Sequence, residues 1–371
     1  MIYDLKNPLS REYPFYIRAT VILFGLILIV YTLFSLRDIF VPLGFAILIA
    51  MLLNPLTNLF VSWGVHKVLA ICLVIVLGFI IISLVSYFIM MEVAGFTDQL
   101  PVFKEKFELL LKKSQTGIRQ QFNIPLQKQN QYLSELSANM KPLIGATAGS
   151  VLGTLATIIL LPVYTFLFLY YKTLLLDFLF EIFSRENVKE VNVVLIQTRL
   201  AIQNYMWGLL LEALIVAALN SIALLILGVE YAILLGVLGA ILNILPFIGG
   251  ILSAALPVLM ATLTMNGFHT QVWIILSYML IQFIDNHFLV PYIVSSRVKI
   301  NALISIIIVL LGGAIWGVAG MFLSIPFVGV LKIIFDRIPE LKPWGKLLGT
   351  EIPARHKGQI WMRFQKQKKV S

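Results

Sequence analysis

One stretch limits what this chain can fold into. From Val229 to Leu263 it reads V-E-Y-A-I-L-L-G-V-L-G-A-I-L-N-I-L-P-F-I-G-G-I-L-S-A-A-L-P-V-L-M-A-T-L. Two apolar arms flank a break at Asn243-Ile244-Leu245-Pro246-Phe247-Ile248-Gly249-Gly250. Each arm has about 14–16 residues, short of the roughly 20 a helix needs to cross hydrocarbon. Pro246 withholds a backbone donor, and Gly249-Gly250 relaxes the dihedrals, so helix is predicted to stop between the arms. Broken backbone at membrane depth survives only where protein buries it or where it lines a cavity. Discontinuous helices of this kind build substrate sites in transporters. The simpler alternative is one kinked helix.

Composition supports a membrane setting. Of 371 residues, 60% are hydrophobic and 12% charged, against about 25% charged in a soluble domain. The net charge of +10 comes from Lys and Arg gathered in short loops and the tail, where they act as orientation signals; no nucleic-acid partner is implied. Cys72 is the only cysteine, which excludes an intrachain disulfide and a cysteine-based metal site. There is no H-E-x-x-H, no Walker A loop and no clustering of His66, His269, His287 and His356. The chain therefore reads as a non-enzyme with no cofactor and no metal. Without a nucleotide site, active transport would run on an ion gradient or on a partner.

Taken in order, residues 1–16 form a cytoplasmic lead-in, and 17–91 hold spans one to three. The first apolar run lacks a small-residue cleavage site and reads as a retained span. Residues 92–146 gain charge, with Phe103, Phe107, Leu110 and Leu111 at helical spacing. They are predicted to be an amphipathic extracytoplasmic insert. Span four occupies 147–171 and opens with Gly149 and Gly153, a small-xxx-small pattern that lets helix backbones approach. Residues 172–205 are predicted to be a cytoplasmic amphipathic helix, 206–335 the transport core with its broken helices, and 336–371 a basic cytoplasmic tail. Glu212 and Glu230 are read as lying near membrane edges, where charge costs little. The fold class is thus an all-α polytopic membrane protein with roughly 6–8 transmembrane helices and two broken or re-entrant segments.

The second broken segment comes from an internal echo. Gly236-Val-Leu-Gly239, followed by Pro246-Phe-Ile-Gly249, matches Gly317-Val-Ala-Gly320, followed by Pro326-Phe-Val-Gly329, with one deletion. Pro246, Gly249, Gly250, Gly317, Gly320 and Pro326 are accordingly read as the breaks of the transport helices. If both stretches are re-entrant hairpins, they dip from opposite faces, and Arg297, Lys299 and the tail are cytoplasmic; broken crossings would put Arg297 and Lys299 outside. The charge rule favours hairpins.

Asp285 is the sharpest candidate for chemistry. An intramembrane carboxylate costs about 2.5–3.5 kcal/mol to insert and is a functional hypothesis by default. Gln282, Asp285 and Asn286 stand at i, i+3 and i+4 and can share one helical face. With Asn243 before the break, they offer a carboxylate and amides suited to a monovalent cation, a proton or a small polar solute. The competing reading makes Asp285 a helix cap or a partner of Arg297, and Asn243 a backbone cap. His287 faces elsewhere.

The ordered set Leu242-Asn-Ile-Leu-Pro-Phe-Ile-Gly249-Gly250 with Pro257, then Gln282-Phe-Ile-Asp285-Asn286-His-Phe-Leu-Val-Pro291, then Gly317-Val-Ala-Gly320-Met-Phe-Leu-Ser-Ile-Pro326, resembles the autoinducer-2 exporter (AI-2E) family of PerM-like permeases. The resemblance runs from about Ile17 to Asp336. Ser295 and Ala302 depart from it, where the family shows Gly and a later Pro. It implies a bacterial inner-membrane protein of seven or eight spans, assembling as a homo-oligomer; the cytoplasmic placing of both termini comes from the charge rule. Some members are linked to autoinducer-2 export and others to sodium/proton exchange, so membership does not fix the substrate. The leading expectation is a secondary transporter exporting a small polar solute by alternating access. The alternatives are a monovalent cation/proton antiporter, and a passive channel or scaffold.

Overall fold

A computed structural model describes residues 14–132, 134–135, 151–182, 188–244, 249–265, 267–294 and 300–350. Among these residues the secondary structure is helix throughout, with no strand. Six helices are long and apolar enough to cross a membrane, and a bent pair makes a seventh. The protein is an all-α polytopic membrane protein.

Helix α1 (Phe15–Ser35) turns at Leu36 into α2 (Arg37–Ser62), which carries Pro42 and Pro55 without breaking. A short loop with Gly64 at φ 87° reverses the chain into α3 (Lys67–Phe122). α3 has 56 residues, so it is about 84 Å long at 1.5 Å per residue. It runs on past position 92, where the sequence placed the start of a separate insert. The rise in charge there marks a change of surroundings, whereas the backbone meets no breaker it cannot absorb; even Pro101 lies inside the helix. The helix ends at Asn123, whose φ is 57°.

Helix α4 (Val151–Tyr170) is followed at a 61° bend by α5 (Lys172–Ile182). α6 (Val188–Ile226) is a single rod of 39 residues. The boundary placed at 205/206 does not exist in the backbone, which is helical from Val188 to Ile226. Instead, the buried row Thr198, Ile202, Tyr205, Leu209, Glu212, Val216, Asn220, Leu224 continues through that point at helical spacing.

Next come two short helices, α7 (Ala232–Asn243) and α8 (Gly249–Thr264). They form a hairpin. Val229, Ala232 and Leu235 at its start pack in one cluster with Met260 and Ala261 at its end. Gly249 sits so tightly against the Leu242 carbonyl that a Cβ would overlap it. Pro246 lies outside the described residues. α9 (His269–Ile284) then passes into a π-helical stretch, Asp285–Val294.

The last long element, α10 (Ala302–Arg337), is also a hairpin. Trp316 (φ −127°, ψ 15°) and Gly317 (φ 62°, ψ −145°) break the helical dihedrals. Beyond them Gly320 comes back against the Gly312 carbonyl. Asn301, before the first arm, donates hydrogen bonds to the end of α11 (Lys342–Leu348): its N–H to Leu348 O at 3.0 Å and its Nδ2 to Leu347 O at 2.7 Å. Both ends of α10 therefore lie on one face. The break is at Trp316–Gly317; Pro326 sits buried inside the continuous second arm, so it is not a break, and Gly320 is a contact point between arms. The echo thus aligns unlike places: Gly236 and Gly239 lie along an arm, whereas Gly317 is a tip.

The hairpins enter from opposite faces. Tyr231, at the open end of the first, donates to Gly95 O of α3 at 2.8 Å. The indole of Trp316, at the tip of the second, donates to Leu33 O near the α1–α2 turn at 2.9 Å. α2 and α3 run antiparallel, so Gly95 and that turn share a face.

Candidate functional site

The site forms where the first hairpin, α6 and the junction of α9 with the π-helix converge. Asp285 opens the π-helical stretch and is 2% exposed. A π-turn widens the helix locally, and such turns recur at functional positions. Two amides donate to one of its carboxylate oxygens: Asn243 Nδ2 to Oδ2 at 2.9 Å and Gln282 Nε2 to Oδ2 at 3.3 Å. The structure thus brings Asn243, at the end of α7, onto a residue 42 positions later. Gln282 also reaches Asn286 Oδ1 at 3.5 Å, and Asn286 lines the same cavity. Arg297, the alternative partner for Asp285, lies outside the described residues.

The other oxygen, Oδ1, receives no hydrogen bond from any described donor. Glu212 explains why that matters. It is 7% exposed, lines the cavity, and its carboxyl is within hydrogen-bonding range of Asp285. A bond between two carboxyls needs a proton on one of them, because an ionised carboxylate only accepts. Two bare carboxylates in so dry a place would carry an uncompensated charge, which a proton or a cation must offset. Glu212 is therefore part of the site, buried in the protein beside Asp285. The sequence signal that could have found it is the buried row on α6, which places it on the same face as Tyr205 and Leu209.

The cavity has a volume of about 790 Å³, within the 300–1,000 Å³ of small-molecule pockets. Its walls are mixed. Tyr205, Glu212, Asn243, Tyr278, Gln282, Asp285 and Asn286 supply polar groups, while Leu209, Ile251, Ile275 and Ile325 supply apolar surface. The Tyr278 hydroxyl is buried without a partner and is free to meet a solute or water. Gly250 leaves room for Gln282 in its present rotamer, since a Cβ there would meet Gln282 Oε1. Ile325, from the second arm of α10, brings the other hairpin to the rim.

The remaining candidates lie apart. His287 is exposed, its Nδ1 3.0 Å from Phe283 O and its ring stacked on Phe283. Gly317 and Gly320 shape the second hairpin and do not line the cavity. Among the described residues no cluster of three His, Cys, Asp or Glu could hold a metal.

Comparison with known proteins points one way. The model of the AI-2E family transporter family matches residues 20–340. The candidate transport protein YhhT of Escherichia coli (strain K12) is 24% identical over 336 residues, covering 91% of this chain and 94% of that one. The AI-2 transport protein TqsA of the same organism is 25% identical over 323 residues, 85% of this chain and 91% of its own. The candidate transport protein YrrI of Bacillus subtilis (strain 168) is 23% identical over 306 residues, 81% and 86% respectively.

Proposed function

The chain belongs to the AI-2E transporter family, and from that membership and the site we propose that it is a secondary transporter which binds a small polar solute beside the Asp285–Glu212 pair and couples its export to a proton or monovalent cation. The observation that carries this reading is a buried carboxylate, held by two amides on one oxygen and within reach of a second carboxyl, in a cavity of transportable size. Amides fix the orientation of Asp285, so the free oxygen is preorganised for an exchangeable charge. The two hairpins, entering from opposite faces, are the elements that would alternate access by moving against the longer helices.

Asp285 would release or take its counter-charge as the solute binds. Asn286, Tyr278 and the Asn243 carbonyl would meet hydroxyl groups of the solute. The reading places both termini in the cytoplasm of a bacterium, in the inner membrane, and includes assembly as a homo-oligomer.

The paired carboxyls also favour a second reading, monovalent cation/proton antiport without an organic solute. Proteoliposomes separate the two. Wild type and Asp285→Asn are loaded with a pH-sensitive dye and given sodium, and in parallel with labelled polyol-like solutes. Solute efflux that needs a proton gradient and vanishes in Asp285→Asn supports the first reading. Sodium-driven proton movement with no solute flux would replace it by the second. Flux that is neither saturable nor sensitive to Asp285→Asn would defeat both.

A further inference from the structure

On the face opposite the Gly95–Tyr231 contact, at the start of α3 and the α4–α5 bend, lies a second cavity of about 360 Å³, lined by His66, Lys67, Val68, Tyr170, Thr173 and Leu174 among others. Its lining includes the first-turn residues of two helices, α3 and α5. The opening N–H groups of a helix have no intrahelical partner, and His66, the residue before α3, makes no side-chain cap. Both helices thus aim donors and the positive ends of their dipoles at one space.

The side chains add charge of the same sign. Lys67 Nζ donates to Tyr170 O at 2.8 Å and lies 5.4 Å from the centre of the Tyr170 ring. Lys172 Nζ donates to Asn54 Oδ1 at 3.0 Å, and is within electrostatic reach of Arg199 and Lys67. Like charges gathered this way repel unless an anion joins them. Among the described residues none of the three is in an ion pair with an acid; the pairs present are Arg37–Asp38 and Lys332–Asp336.

We propose that this pocket binds the phosphate of an anionic phospholipid headgroup from the adjacent leaflet. Its depth in the membrane argues for a lipid. Lys67 begins an apolar span and Tyr170 ends the apolar helix α4, so on this proposal the pocket lies at headgroup level. Trp63, Tyr170 and Tyr171 are the aromatic residues that settle there. Leu69 and Leu174 stand exposed beside it and offer a track for an acyl chain. Lys67 and Thr173 would contact the phosphate directly, with Lys172 and Arg199 supplying field. Occupancy would tie α3, α4 and α5 together at the end remote from the first hairpin's mouth.

The test uses the full chain in neutral detergent, with its melting temperature read against three probes: short-chain phosphatidylglycerol, short-chain phosphatidylcholine and inorganic phosphate. Phosphatidylglycerol is expected to raise the melting temperature saturably, and phosphatidylcholine is not. Lys67→Gln is expected to weaken the effect about tenfold, the loss of one charge-assisted contact. Lys332→Gln, a cation change elsewhere, leaves it intact. Lys172→Gln also loses its bond to Asn54; if that variant does not fold, Thr173→Val carries the comparison. Equal response to the two lipids, or an unchanged response in Lys67→Gln and Thr173→Val, overturns the proposal. An equal shift from inorganic phosphate at the same concentration overturns its lipid part.

Discussion

The first hairpin turns beside Asn243, which donates to a buried carboxylate; the second turns at Trp316–Gly317, whose indole donates to a main-chain carbonyl of α1. Their glycines differ in what they admit. In the first, Gly236 lets in Ser221 of α6, a Cβ on Gly239 would come within 3.3 Å of Asn220 Nδ2, and Gly250 makes room for Gln282 of α9. In the second, Gly312 and Gly320 face each other and close the hairpin on itself. Similar residue types therefore serve two ends. One hairpin is seated by its glycines into the elements that hold the site, and the other is zipped into a self-supporting wedge.

This difference predicts where substitution strikes. Gly312→Val should cause the largest change. Its Cβ would meet the Gly320 backbone, which cannot swing aside, and overpacking of that kind costs about 1–3 kcal/mol or more. Gly317→Ala adds a side chain at φ 62°, ψ −145°, a glycine-only region worth about 1–3 kcal/mol of strain. Both variants should lose melting temperature while the folded fraction keeps a wild-type KM in vesicle flux. A raised KM with unchanged stability would show that the second hairpin is part of the binding site, and would erase the distinction.

Glu212→Gln comes next, and acts from the other side of the comparison. The amide can donate to Asp285 Oδ1, fixing a bond that the native pair makes only with a shared proton. Coupled flux should fall about tenfold, the scale of a typical coupling free energy, with stability preserved. Glu230→Gln, at an exposed position beyond α6, should change nothing. Equal flux in the two variants would mean that Asp285 works alone.

That pair of glutamates also shows what could be read from the chain. Asp285, Asn286 and Gln282 stood out because polar side chains at i, i+3 and i+4 interrupt an apolar run, and the first break stood out because Pro246 and Gly249-Gly250 coincide there. Glu212 was hidden by the assumed boundary at 205/206. Charge in 172–205 suggested a separate surface helix, and the first acidic residue after a boundary reads as an entrance. In fact α6 begins at Val188, so Glu212 lies about 36 Å along it at 1.5 Å per residue. The tip of the second hairpin, Gly317, is among the breaks the sequence shows, but Pro326 is read with it for a related reason. Proline is the stronger breaker in water, so Pro326 drew the eye. In a packed membrane helix neighbours can satisfy the freed carbonyl, and the turn falls instead at a residue with a positive φ. Composition reports surroundings well and backbone continuity poorly.

Gly250→Ala is a finer probe. The added Cβ meets the far end of Gln282, a side chain that can rotate, so the stability cost should stay near the ~1 kcal/mol of a mild repacking. What Gln282 loses by rotating is its 3.3 Å bond to Asp285. KM for the solute should rise while the melting temperature hardly moves, the reverse of the pattern for Gly312→Val.

The smallest effect is expected at Trp316. Replacing it by Phe keeps the ring in the packing around Leu323 and Ile325, and removes only the 2.9 Å bond from the indole to Leu33 O. Hydrogen bonds between membrane helices average about 0.6 kcal/mol, because the partners find other bonds when parted. The melting temperature should therefore shift slightly, with vesicle flux unchanged, if the tip of the second hairpin is a fixed anchor. A marked change in flux without a change in stability would show that this tip moves against α1 during transport. The self-supporting wedge would then be a gate, and the bond to Leu33 its latch.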